Sequence, residues 1–314
     1  MRTAPQDSHT QDATRPNVPR WRPAWISWAI TVIALVGVLV LLYPSVASWV
    51  SSYNQSQLIR EYTVDIDSVT PSASEQLRRA HEYNDALTAG VRLEANARVP
   101  TGDGVSADQS LDYWSMLTVT PSAPMARIRI PSIDVDLPIY HGTSDETLLR
   151  GAGHLQGSHL PVGGESTHSV ITAHRGLANA TMFSNLDEVA VGDRFTIEVF
   201  GEVLTYQVRE TRVVEPEDTD TLRPVQGKDL VTLVTCTPLG INSHRILVTG
   251  ERVTPTPVKD VEDAGDPPTI PGFPWWAVAL TVGVLGLVTF IGRAGFADPR
   301  RRRSALDTQA EPGA

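Results

Sequence analysis

Two long runs without a charged residue lie near the ends of this 314-residue chain, and they constrain its fold more than any other feature. The first run, Trp25–Tyr43, spans about 29 Å as a helix, close to the roughly 30 Å of a bilayer core. The second run, Trp275–Ile291, is shorter and has Trp275 and Trp276 at one edge, as interfacial tryptophans often are. Both runs are therefore predicted to be transmembrane helices.

The distribution of charge predicts the side of the membrane on which each part lies. Arg15, Arg20 and Arg22 precede the first run, and Arg293 and Arg300–Arg303 follow the second. Since basic flanks stay in the cytoplasm, both termini are expected to be cytoplasmic and the middle extracellular. The net charge of the chain is -10, and because each flank carries about +2, the middle region carries about -14, which argues against nucleic acid as a partner. A cleaved signal peptide is the alternative for the first run, but its apolar core is longer than usual for one.

Turn and helix signals divide the remaining chain. Ser72 and Glu75 have the spacing of a capping box, and Gln76–Leu87 is rich in helix-forming residues. Six prolines between Thr254 and Pro274 predict an extended tether. The expected order is a cytoplasmic tail (1–24), a transmembrane helix (25–43), a helical stalk with a possible lid segment (44–118), a main domain (119–253), a Pro-rich acidic tether (254–274), a second transmembrane helix (275–292) and a basic cytoplasmic tail (293–314).

The main domain is predicted to be mainly β, because it consists of short apolar runs separated by turn residues. The predicted strands are Arg127–Ile130, Val135–Ile139, Ser169–Ala173, Arg194–Val199, Val203–Val208, Leu230–Thr235 and Ile246–Val253. Seven or eight strands in this length favour one closed β-barrel of about eight strands, with N-terminal helices and two flanking transmembrane helices.

Cys236 is the only cysteine of the chain and ends one of the predicted strands. A single cysteine in an exported domain has no partner for an internal disulfide. Two interpretations remain open on composition alone: the thiol is a nucleophile, or it is a small buried apolar side chain in a membrane-tethered binding domain.

A nucleophilic thiol needs a neighbouring base, and His174 is the best placed of the eight histidines because it stands where a predicted strand gives way to a loop. Arg245 opens the strand after Cys236, where it is either a solvated residue or a cation that stabilises an oxyanion. His244 and Arg245 would point to opposite faces of a strand, so only one of them can face the thiol. We interpret the remaining candidates as surface or capping residues: His141, His154, His159 and His168.

Three separated motifs resemble the signature of the sortases, membrane-anchored cysteine transpeptidases of Gram-positive bacteria. They are Thr-Leu-Val-Thr-Cys (232–236), Ile-Thr-Ala-His-Arg-Gly (171–176) and His-Arg (244–245), within residues 126–253. The chain resembles class C, the pilin-polymerising sortases, most. This resemblance lies in the stretches 130–142, 151–155, 160–169 and 236–245 and in the second apolar run.

This resemblance implies a sortase barrel in which Cys236 is the nucleophile, His174 the acid and base, and Arg245 the oxyanion-stabilising or substrate-positioning residue. It implies cleavage of an LPXTG-like sorting signal through a thioacyl-enzyme and transfer to an amine, a pilin lysine in class C. The partners would then be LPXTG-bearing surface proteins or pilins, with no cofactor. A cell-wall-anchoring sortase that uses a peptidoglycan amine is the alternative.

Class C sortases commonly carry a lid with an Asp-Pro-aromatic motif before the barrel. Residues 90–115 contain no such triplet, so Asp103, Asp112 and Trp114 are the remaining lid candidates. No metal site is predicted, because the acidic segment 215–220 has the pattern of a solvated turn more than that of a calcium site.

Overall fold

The computed structural model describes residues 21–66, 69–87, 91–92, 101–102, 111–120, 123–177, 180–268 and 271–307. The chain divides into two compact units, one made of Met1–Tyr43 with Pro274–Ala314 and the other of Pro44–Phe273. The α-helices are α1 (Trp25–Ile66), α2 (Ala73–Ala86), α3 (Asp145–Arg150), α4 (Val258–Glu262) and α5 (Trp275–Asp307). The strands are β1 (Val91–Arg92), β2 (Thr101–Gly102), β3 (Ala126–Ile130), β4 (Val135–His141), β5 (Ala152–His154), β6 (Thr167–Thr172), β7 (Arg194–Val199), β8 (Glu202–Val214), β9 (Asp229–Thr237) and β10 (His244–Arg252).

The first unit contains α5 and the part of α1 up to Tyr43, which correspond to the two apolar runs of the sequence. Stretches of α1 and α5, Trp25–Thr63 and Trp275–Phe296, are long and apolar enough to cross a membrane. Helix α1 continues past Tyr43 without a break, so the predicted stalk is the same helix as the first span. Both helices are consistent with membrane anchoring.

The second unit is built on a closed barrel of eight strands in the order β10-β8-β7-β3-β4-β5-β6-β9, which confirms the predicted fold class. Strand β9 lies between β6, to which it is parallel, and β10, to which it is antiparallel. The short strand β5 is absent from the sequence prediction, because its three residues include Gly153 and offer no alternation to detect.

Alternation along β9 separates two apolar clusters. Val231 and Leu233 belong to the main core cluster, which fills the barrel. Val234 belongs to a smaller cluster with Leu247 and with Leu222, which comes from the connection between β8 and β9. Successive side chains of a strand point to opposite faces, so the smaller cluster lies on the outer face of the barrel beneath that connection.

Helix α2 forms as its capping pattern predicts, with the Ser72 hydroxyl accepting a hydrogen bond from the Glu75 amide at 3.4 Å. Its buried face, which includes Leu77 and Tyr83, joins the main core cluster. The segment predicted as an extended tether (254–274) contains the five-residue helix α4, and Asp260 there accepts a hydrogen bond from Thr205 of β8 at 2.7 Å. Prolines there interrupt regular structure, but the intervening polar residues still bind the barrel.

Candidate active site

Strand pairing brings Cys236 and Arg245 together. The two residues are directly opposite each other in the antiparallel pair of β9 and β10. Directly opposite side chains share a face, with their Cβ atoms about 5 Å apart. The thiol and the guanidinium therefore lie side by side on the outer face, the one that also carries Val234 and Leu247.

The parallel pairing of β6 with β9 extends this row to His174. Thr172 is the last paired residue of β6 and is level with Val234. The Ala173 amide then donates to the Val234 carbonyl at 3.2 Å, so the two chains still run together beyond the end of the strand. Continuing this register by two residues brings His174 level with Cys236. The three candidates consequently occupy neighbouring positions on three adjacent strands or strand ends.

The guanidinium of Arg245 is held by the backbone of the loop between β9 and β10. Arg245 is 1% exposed, and one terminal nitrogen of its guanidinium donates to the carbonyls of Asn242 at 2.8 Å and His244 at 3.0 Å. Arginine stays protonated at all relevant pH values, so this buried group is a fixed positive charge. A fixed cation with bound carbonyls is preorganised to meet negative charge that develops beside it.

Cys236 is half-buried, and two opposing effects act on its thiol. Burial raises the pKa of Cys236 above its ordinary value, and the positive charge of Arg245 lowers it by a smaller amount. The thiol therefore holds its proton at neutral pH, and a base is required to make it a strong nucleophile. His174, which is partly exposed at the same level, is the imidazole nearest in register.

His244 takes a different direction from Arg245, as strand alternation predicts. It is paired in register with Thr237, and its Nδ1 lies 2.8 Å from the hydroxyl of Ser243. This leaves Arg245 as the member of the His-Arg pair that faces Cys236.

The interpretation of the other histidines as surface or capping residues is wrong. His154, His159 and His168 are buried, and His141 is half-buried. All four rings lie within hydrogen-bond distance of other groups of the protein. The ring of His154 lies 2.8 Å from the His159 carbonyl and 3.0 Å from the Tyr113 hydroxyl. Burial lowers the pKa of all four, to about 3 for His154 and about 4 for His168. Their apolar neighbours in the fold come from distant sequence, so local pattern could not reveal their burial.

The lid candidates fall in different places. Asp103 lies outside the described residues. Asp112 precedes a short 3-10 turn, Tyr113–Ser115, and its backbone carbonyl accepts a hydrogen bond from the Ser115 hydroxyl at 2.8 Å. Trp114 is more than half exposed and lies with its ring centroid 6.1 Å from that of His141, at the end of β4.

Arg175 and Thr237 are two further residues of this region that sequence analysis overlooked. They immediately follow His174 and Cys236, and an Arg175 nitrogen donates to the Thr237 hydroxyl at 2.9 Å. Their shared position after the two candidate residues was the available signal. Among the residues that the structure describes, no group of three or more His, Cys, Asp or Glu side chains is arranged to hold a metal ion.

A family model, the sortase domain, matches residues 128–253, which cover the barrel and all three residues of the row. Sortase D of Bacillus subtilis (strain 168) is 30% identical over 157 residues, which are 49% of this chain and 76% of that protein. Sortase A of Streptococcus agalactiae serotype III is 27% identical over 166 residues, covering 51% of this chain and 67% of that protein.

Solved structures match over a larger share of the chain than the family model does. Sortase C-1 from Actinomyces oris is 48% identical with a TM-score of 0.51, covering 58% of this chain and 99% of that one. Streptococcus pneumoniae sortase C is 39% identical with a TM-score of 0.55, covering 63% and 96% of the two chains. Sortase A from Corynebacterium diphtheriae is 40% identical with a TM-score of 0.53, covering 67% and 95%. The similar structures thus include class C sortases and a sortase A.

Proposed function

The chain belongs to the sortase family of cysteine transpeptidases, and from this we propose that it cleaves an LPXTG-like sorting signal and transfers the acyl group to a pilin lysine. Sortases act on surface proteins that carry sorting signals. The finer assignment is supported by the likeness to class C structures, one of which, from Streptococcus pneumoniae, is described in terms of pilin substrate specificity.

The row of His174, Cys236 and Arg245 is the observation that carries this proposal. In the proposed reaction, His174 removes the proton of Cys236, and Sγ attacks the carbonyl carbon of the Thr-Gly bond. The carbon–sulfur bond that forms makes the carbonyl oxygen negative, and Arg245 stabilises that charge. His174 then gives its proton to the departing glycine amine as the carbon–nitrogen bond breaks, which leaves a thioester on Cys236.

An amine completes the transfer. It attacks the thioester carbon, and a new carbon–nitrogen bond forms as the carbon–sulfur bond breaks. The amine gives up a proton through His174, and the Cys236 thiolate takes one up to become a thiol again. With a lysine of another pilin as this amine, the product is an isopeptide-linked polymer. Placing the enzyme in the membrane with its tethered substrates raises their effective concentration, which suits the proposed topology of two spans with both termini cytoplasmic.

Attachment of proteins to a cell-wall peptide is the second candidate function. The similarity to sortase D of Bacillus subtilis and sortase A of Streptococcus agalactiae is the observation that favours it, because neither relative is named as a class C sortase. The two functions share every step up to the thioester and differ only in the amine that resolves it.

A competition assay separates the two functions. The full chain in detergent is given an LPXTG peptide together with a pilin-type lysine peptide and a cell-wall peptide amine, and the products are identified by mass spectrometry. Transfer to the lysine peptide supports the pilin assignment, and transfer to the cell-wall peptide alone contradicts it.

Variants of the row test the assigned roles. Cys236→Ala and His174→Ala are expected to abolish acyl transfer, because each removes a group that exchanges a bond or a proton. Arg245→Gln is expected to lower kcat by about 100-fold or more, as loss of an oxyanion partner does. The matched control is His244→Ala, which changes the adjacent residue on the opposite face. Retained transfer in Cys236→Ala would refute the proposal.

We also propose Asp112 and Trp114 as the lid candidates within the described residues. If either covers the thiol, its alanine variant reacts faster with a thiol reagent than the parent does. Equal labelling rates for both variants would exclude them.

A further inference from the structure

Arg175 directly follows His174 and makes three polar contacts with separate parts of the fold. Its Nε donates to the Ser184 carbonyl at 3.1 Å, one terminal nitrogen donates to the Thr237 hydroxyl at 2.9 Å, and the other donates to the Asp187 carboxylate at 2.6 Å. The side chain is only 12% exposed. Although its partner Asp187 is 49% exposed, a mostly buried guanidinium bound to three acceptors holds one geometry better than a solvated one.

The contact with Thr237 replaces backbone pairing that has already ended. Strand β6 stops at Thr172, whereas β9 continues to Thr237, so the regular ladder between them does not reach the end of β9. Beyond Thr172, side chains bind across the gap at the same sequence separation of 62 residues. The Thr235 hydroxyl donates to the Ala173 carbonyl at 2.8 Å, and Arg175 donates to the Thr237 hydroxyl.

These two side-chain bonds lie on either side of the level that His174 and Cys236 share. One is a position before it and the other a position after it, so the row of candidate residues is bracketed. Without them, the chain after β6 would leave the barrel where a loop normally does.

The opposite side of this loop is also held. The Phe183 amide donates to the His174 carbonyl at 3.0 Å, and the Gly176 amide donates to the Ser184 hydroxyl at 3.0 Å. Gly176 has a φ of +73°, a left-handed conformation that favours glycine in this turn. The Arg175 side chain reaches both the segment 183–187 and β9.

We propose that Arg175 is a positioning residue that keeps the His174 imidazole within proton-transfer reach of the Cys236 thiol. It does so by locking the exit of β6 to the end of β9 through Thr237 and to the following loop through Ser184 and Asp187. This inference rests on the roles proposed above for His174 and Cys236.

Arginine suits this position better than lysine. The planar guanidinium directs five donors along fixed directions, so it can reach three acceptors at once, whereas an ammonium ion is a point charge on a flexible stem. Charge alone would not give this effect. Displacement of a catalytic group by about 1 Å is able to reduce the rate by about 100-fold, so a loosened His174 should affect the chemical step.

The test uses the full chain in detergent and the LPXTG peptide. Arg175→Gln, Arg175→Lys, Thr237→Val and the double variant of Arg175→Gln with Thr237→Val are assayed for kcat, KM, the pH dependence of kcat/KM, and the melting temperature. The matched control is Arg194→Gln, which removes an exposed arginine on β7, outside this region.

We expect Arg175→Gln to lower kcat by about tenfold or more with KM changed by less than about twofold. Thr237→Val should lower kcat in the same way. The double variant should be no slower than Arg175→Gln, because the bond between Arg175 and Thr237 is already lost in that single variant. The pH dependence of kcat/KM should change shape, since proton transfer is the step disturbed. Arg175→Lys should remain slow.

Three results would overturn the inference. The first is a wild-type kcat in Arg175→Gln. The second is full recovery in Arg175→Lys, which would show that positive charge suffices. The third is a loss of activity that follows the folded fraction while the pH profile stays unchanged, which would make the role structural only. Failure of the proposed function is separate, because it would appear as activity in Cys236→Ala.

Discussion

Acidification should destabilise the barrel domain through its buried histidines, and His168 offers the clearest test. Its Nδ1 lies 3.0 Å from the Arg223 carbonyl, which can only accept, so Nδ1 carries the hydrogen. Its Nε2 lies 2.7 Å from the Thr232 hydroxyl and therefore accepts. Both nitrogens of the neutral ring therefore have a hydrogen-bond partner. A proton added to Nε2 would point at the Thr232 hydroxyl, which donates to Nε2 when the ring is neutral.

The sign follows from the direction of the pKa shift. Burial lowers the pKa of His168 to about 4 and that of His154 to about 3 in the folded state. The unfolded chain binds a proton at each ring below about pH 6.5, while the folded protein does not, so acid favours unfolding. The stability is complete above about pH 6.5 and is lost as the pH falls toward the folded-state values.

The magnitude can be worked out for a fall from about pH 7.5 to about pH 5.5. Each ring with such a low folded-state pKa reduces the free energy of unfolding by roughly 1–2 kcal/mol over this interval, hence roughly 3 kcal/mol for His154 and His168 together. His141 and His159, whose pKa values are also lowered by burial, add to this loss. The combined loss is a large share of the free energy of unfolding of a typical domain, which is about 5–15 kcal/mol.

The assay is urea unfolding of the full chain in detergent at the two pH values, followed by near-ultraviolet circular dichroism. His168→Asn should reduce the pH-dependent loss by roughly 1–2 kcal/mol, because the amide can still bind the Arg223 carbonyl but does not titrate. Thr232→Val is the control: it lowers the stability at both pH values and leaves the titrating ring in place. An identical pH-dependent loss in His168→Asn and the parent would refute the reasoning.

Three further predictions follow from single contacts. Arg245→Gln removes the charge that lowers the pKa of Cys236, so the alkylation of this thiol by iodoacetamide should shift to higher pH; an unmoved profile would contradict the assigned contact. Ser72→Ala removes the cap of α2 and should cost about 1 kcal/mol in urea unfolding, whereas a cost near zero would mean that the cap is not used. Leu222→Ala empties part of the outer apolar cluster and should cost about 3 kcal/mol, against less than about 0.5 kcal/mol for the exposed Leu149→Ala, and equal effects would argue against that cluster.

Local patterns in the sequence predict most of the elements in this structure. The capping residues of α2, the two apolar runs and the alternating strands are each visible within a few residues, because they reflect the period of one helix or strand. The short β5 and the helix α4 in the Pro-rich segment were missed, since both depend on contacts with the barrel more than on their own residues.

The candidate site divides in the same way. The lone Cys236, His174 at a strand end and Arg245 after a turn are recognisable in the sequence, which determines the types of residue present and their order. Only the closed barrel decides that they share one row, because the register of β9 with β6 and β10 is set by side chains packed throughout the sheet. The burial of His154 and His168 and the bracing of His174 by Arg175 likewise depend on partners far along the chain.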